Sequence, residues 1–203
     1  MANYNAIKYD GFSKGSTTLI KTLTASSSAT LSFVDGASSV VLDSTYKEYL
    51  FIFNNIHGAS DDQVFSFNVS IDGGSNYNVA KTTSNFRAYH RESELGSNDA
   101  SLDYQTGNDL AQGTGFQHLF SYINTDADMS CAGTLHLFNP SSTTFVKHFL
   151  FRGISPYPSS DSDGMKDQLV AGYANTTSAV NAIQFKMLSG NTDAGTIQLI
   201  GIT

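Results

Sequence analysis

From Thr17 to Thr203 the chain repeats one rhythm, a short run of β-branched, aromatic and aliphatic residues followed by a cluster of Gly, Ser, Asn or Asp. Tyr46-Lys47-Glu48-Tyr49-Leu50-Phe51-Ile52-Phe53, Phe65-Ser66-Phe67-Asn68-Val69-Ser70-Ile71 and Thr196-Ile197-Gln198-Leu199-Ile200 are the clearest runs. Period-two alternation of this kind reads as strand, because successive side chains of a strand point to opposite faces. The pattern predicts strands at 17–24, 29–34, 39–42, 46–56, 64–71, 116–123, 131–138, 146–154, 168–176, 181–188 and 195–202. Val34-Asp35-Gly36, Asp72-Gly73-Gly74, Asn139-Pro140-Ser141-Ser142 and Ser189-Gly190-Asn191 separate them as turns.

A chain of 203 residues with this many strands fits one all-β domain at 17–203. Long crossing connections favour a jelly-roll-like β-sandwich of two sheets over an up-and-down barrel. No 20–50-residue repeat points to a propeller or β-helix. The longest excursion is an insertion at about 84–115, opened by Ser84 to Leu95 as the one candidate for a turn or two of helix. Connections of this length are often functional. Residues 1–16 break the rhythm: Tyr4, Ile7, Tyr9 and Phe12 stand among polar residues with Gly11 and Gly15 as breakers. They read as a docking arm that a partner subunit, or the domain itself, would pin.

Eighteen acidic against eleven basic residues give a formal charge of −7, which argues against a nucleic-acid partner held through released counterions. Cys131 stands alone, so it forms no intramolecular disulfide and reads as a small buried hydrophobe. Met1 to Lys8 lacks a basic stretch followed by an apolar one, and nowhere do about 18 apolar residues run together. The expectation is a chain neither exported by the usual signal nor inserted in a membrane.

Groups suited to catalysis are sparse, and the expectation is that the chain is not an enzyme. His57, His90, His118, His136 and His148 show no metal-ligand spacing, although His136 and His148 fall in strands that could neighbour each other. Glu92 and Glu94 are close enough to raise a glycosidase pair, against the plainer reading of a solvated loop beside Arg87 and Arg91. Asp161-Ser162-Asp163-Gly164 and Asn124-Thr125-Asp126-Ala127-Asp128 are oxygen-rich, but neither completes an EF-hand, so calcium at Asp161 and Asp163 is a weak alternative to ordinary turns and no cofactor is expected. Tyr89, Tyr104, Tyr157 and Tyr173 could present rings to a glycan or a partner protein, in a chain with no Trp.

Leu19 to Phe33, Val41 to Tyr49 and Ser70 to Tyr77, with Thr177 to Phe185 and Ser189 to Ile197 near the other end, resemble a group of virion proteins of tailed bacteriophages from aquatic habitats. The resemblance covers the framework, leaving out residues 1–16 and most of 84–115. It implies a structural component of the particle with a jelly-roll fold, and no catalytic motif to carry over. The expected protein is a tail, fibre or baseplate part that self-associates, as a trimer, and docks on other virion proteins through the arm. A head-decoration protein and a module binding host-surface polysaccharide through Tyr104 or Tyr157 are the alternatives. A glycan-degrading enzyme using Glu92 or Glu94 comes last. The expected location is the virion, assembled in the host cytoplasm.

Overall fold

The computed structural model describes residues 16–92, 100–157 and 164–203. The arm residues Tyr4, Ile7, Tyr9 and Phe12, together with Glu94, Asp161 and Asp163, lie outside the described residues.

Twelve strands are described: β1 (Thr17–Thr24), β2 (Leu31–Val34), β3 (Glu48–Gly58), β4 (Gln63–Ser70), β5 (Lys81–Arg91), β6 (Ala100–Tyr104), β7 (Gln117–Ile123), β8 (Cys131–Phe138), β9 (Lys147–Pro156), β10 (Gly164–Ala174), β11 (Ala182–Met187) and β12 (Thr192–Ile202). They form an eight-stranded sheet in the order β1-β12-β3-β8-β9-β10-β5-β6 and a four-stranded sheet in the order β2-β11-β4-β7, with antiparallel neighbours throughout.

The wrapping follows from the pairings. Among β1, β2, β3, β4, β7, β8, β11 and β12 the first strand pairs with the last, the second with the second last, and so inward to β4 with β7. That nested arrangement is the jelly roll. Two antiparallel pairs are added to it, β5–β6 between β4 and β7, and β9–β10 between β8 and β11. All four widen the same sheet.

The core lies between the sheets. Tyr49, Phe51 and Phe53 of β3, Phe149 and Phe151 of β9, and Leu135 and Leu137 of β8 are buried against Phe33, Phe65, Phe67, Phe120 and Phe185. Phe185 is the hub, with ring centroids 5.2 Å from Phe53 and 5.3 Å from Phe51. Tilted and edge-on ring contacts add to the burial of each ring.

Two sequence expectations need correction. Residues 39–42 form no strand, because Ser38 and Ser39 take left-handed backbone (φ 50° and 65°) and the chain folds back on itself. The Gly36 and Leu42 amides donate to the Val40 carbonyl and the Asp35 carboxylate, and Val40 and Leu42 fill the core from a loop. Residues 84–91 form no helical turn; they belong to β5, which pairs with β10 along its whole length and with β6 over 86–90. The insertion therefore contributes strand at 84–91 and 100–104, and 105–113 then runs along the edge of β5 that β6 leaves free, through Gln105 N to Asn85 O, Thr83 N to Leu110 O and Lys81 N to Gly113 O.

Candidate functional site

Three places gather chemistry-bearing side chains: the inward side of the widened sheet, a cleft at one end of the sandwich, and the outward face of the large sheet.

On the inward side, β5 carries Lys81, Thr83, Asn85, Arg87, Tyr89 and Arg91 opposite Lys166 and Gln168 of β10. The structure brings together Tyr89 and Tyr157, whose ring centroids are 4.8 Å apart. The Arg87 guanidinium lies 5.4 Å and 5.3 Å from those rings, and Arg91 5.9 Å from Tyr157. Among the described residues Nε and Nη1 of Arg87 are buried without hydrogen-bond acceptors, and ring faces meet part of its charge, with Asp103 at 3.7 Å on Nη2. Lys166 donates to the Ser121 carbonyl and sits over Tyr122 and Tyr157. Both tyrosines are half-buried in this stack, so their rings are engaged within the domain. Tyr104 is not part of it. It stands on the opposite side of the sheet and donates its hydroxyl to Asp109 at 2.7 Å.

The cleft, about 630 Å³, is lined by Asn55, His57, residues 125 and 127–130, Asp193 and Ala194. His57 Nδ1 is 2.8 Å from the Asp193 carboxylate and Nε2 is 3.3 Å from the Asp126 carbonyl. Both neighbours only accept, so the ring satisfies both by donating from each nitrogen, which is the protonated form. Burial disfavours that form, but the bonds to Asp193 and Asp126 and the Asp193 charge outweigh it, leaving the pKa above 6.5. The loop after β7 is held by Asp61, which accepts from the Thr125 amide (2.9 Å) and hydroxyl (2.6 Å), while Asn124 donates to Asp126 at 2.8 Å. The oxygens that looked suited to calcium thus serve in part as loop fasteners. Among the described residues no group of three or more His, Cys, Asp or Glu is placed to hold a metal ion.

His136 and His148 do lie on neighbouring strands, β8 and β9, on the same outward face, but each has its own partner. His136 Nδ1 bonds the Glu48 carboxylate, and His148 packs its ring 6.3 Å from that of Tyr173. His118 bonds the Asn108 side chain at 3.0 Å, and His90 is exposed opposite Ala100. Cys131 is buried, and burial pushes its thiol up to about 12. Glu92 follows the last residue of β5.

The outward face of the eight-stranded sheet carries what residue-by-residue inspection for chemistry misses. One ladder row runs Leu19, Ile200, Leu50, His136, Leu150, Ala171, Ser84 across seven strands. Other rows add Phe138, Ile154, Met165, Phe86, Tyr104 and Leu102. Leu102 is 72% exposed and Ile154 54% exposed. At its centre Arg152 grips Asp167 through Nε (3.1 Å) and Nη2 (2.7 Å), and the Glu48 carboxylate is hydrogen-bonded to His136. The sequence signal was present in Leu50-Phe51-Ile52-Phe53 and Phe149-Leu150-Phe151, which are apolar at both parities. A strand with only one covered face alternates instead.

Comparisons with known protein families, with characterised proteins and with solved structures found no match.

Proposed function

We propose that the protein is a non-enzymatic structural component of a bacteriophage particle, a tail, fibre or baseplate part that self-associates and docks through residues 1–16. The observation that carries the reading is how the side chains are deployed. His57, His136 and Arg152 pair with Asp193, Glu48 and Asp167 within the domain, while large apolar side chains stand outward on the face of a widened jelly-roll sheet. Contiguous apolar surface of this kind marks an interaction site. The resemblance of Leu19 to Phe33 and Thr177 to Phe185 to virion proteins supplies the setting.

The test is co-sedimentation with particles from a lysate of infected cells. The full chain is expected in the particle fraction, and a chain lacking residues 1–16 is expected to fold, by circular dichroism, yet remain in the supernatant. A full chain found only in the supernatant rejects the virion role. A truncated chain that still enters particles rejects the docking arm.

A further inference from the structure

We infer that the outward face of the eight-stranded sheet is covered by a second copy of this chain, an inference that rests on the structural role proposed above and names the contact through which copies meet. Three observations lead there.

The first is pattern. β3 presents Leu50 and Ile52 outward between Tyr49, Phe51 and Phe53, and β9 presents Leu150 and Ile154 outward between Phe149, Phe151 and Ser155. Strands with apolar residues at both parities are those whose two faces are both removed from water. The inward face is covered by the four-stranded sheet.

The second is charge. A chain with a formal charge of −7 approaches its own copy at least cost through a region that contributes little of that charge. At the centre of this face the Arg152–Asp167 charges close on each other and the Glu48 carboxylate is held by His136, so like meets like with little exposed charge between them. A strongly charged partner would gain little there.

The third is extent and relief. The six strands β3-β8-β9-β10-β5-β6, spaced about 4.8 Å apart, and the rungs from His148 to Pro156 on β9 span on the order of 800 Å². A stable contact of standard size takes about 800 Å² from each partner. The face is also uneven: hollows of about 290 Å³ beside Ala132, Gly133 and Gly153, and of about 530 Å³ beside Ala171, Gly172 and Leu150, alternate with the projecting Ile154 and Leu102. Two copies turned face to face can set such projections into such hollows, as paired sheets do when they pack about 10 Å apart.

The experiment is light scattering on the purified full chain at two concentrations, with Ile154→Asp and Leu102→Asp as variants. Both side chains are exposed within the domain, so neither change disturbs its core. Ile71→Asp, beyond the end of β4 and away from the face, is the control. The expected result is a mass of two chains for wild type and control, and a single chain for Ile154→Asp and Leu102→Asp, with self-association weakened about 100-fold or more by burying unpaired charge. A single-chain mass for wild type, or unchanged association in both variants, overturns the inference. Co-sedimentation with particles is read separately. A wild-type monomer that enters particles, and fails to do so as Ile154→Asp, assigns the face to another particle protein, which overturns this inference and leaves the structural role standing.

Discussion

At the scale of single residues, the unusual decision in this sandwich is to place lysines inward. Lys81, Lys147 and Lys166 are buried, and their ammonium groups meet carbonyl or amide oxygens: Val79 and Asn68 for Lys81, Phe145 and Thr176 for Lys147, Ser121 for Lys166. Among the described residues no carboxylate forms an ion pair with any of them. Desolvation draws Lys81 and Lys166 down to about 7, well below the 10.5 of a free lysine. Between those two values the unfolded chain holds protons that the folded chain has released, so stability rises with pH across that window. The urea midpoint is therefore expected to climb between pH 7 and pH 9.5, and Lys166→Met to flatten the climb. An equally steep climb in Lys166→Met would show that Lys166 is not a source. His57 acts in the opposite sense and lower: its contribution is complete below about 6.5 and is lost as pH rises through its raised folded value. None of this was readable from the sequence, where Lys81 and Lys166 look like ordinary surface lysines and only their facing partners reveal the burial.

At the scale of elements, close packing of the sheets is set by residues without side chains. Gly133 of β8 and Gly153 of β9 face each other in register, and Phe120 of β7 lies over them. A Cβ at Gly153 would stand 2.4 Å from Phe120 Cε1 and 2.5 Å from Phe151 Cζ, in rings that are already buried on all sides. Gly153→Ala is expected to destabilise the domain by about 1–3 kcal/mol through overpacking, measured by urea denaturation. A change within about 0.5 kcal/mol would mean that the rings have room to yield. Element legibility divides along the same physical line. β1 and β8 fall at 17–24 and 131–138 as the alternation indicates; in β8 the covered side is apolar, with Cys131, Leu135 and Leu137 buried. Residues 84–91 of β5 read as a candidate helical turn because the strand's inward residues are Lys81, Thr83, Asn85, Arg87, Tyr89 and Arg91. A strand whose buried side is polar offers no hydrophobic contrast for a period-two reading, and its pairing with β10 and β6 is long-range information.

At the scale of the whole molecule, the added strands decide which symmetry the chain can support. The eight jelly-roll strands alone would give two sheets of four, β1-β12-β3-β8 over β2-β11-β4-β7. The β9–β10 and β5–β6 pairs double only the first, so the domain has one broad face and one narrow one, and the exposed Leu150, Ile154, Met165 and Leu102 lie on the broad face's added half. A patch that meets its own copy pairs chains in twos about a twofold axis, whereas the threefold number expected from the sequence asks two different patches to meet. The broad face offers the first kind of contact because its projections and hollows lie on one surface, and because it belongs to residues 17–203 the pairing does not require the arm. Light scattering on the chain with and without residues 1–16 is therefore expected to give two chain masses in both cases. A mass of three chains that survives in Ile154→Asp would move the self-contact to another surface and return the broad face to a different particle protein. A two-chain mass that falls to one chain only when residues 1–16 are removed would make the arm, rather than the sheet, the element that joins the copies.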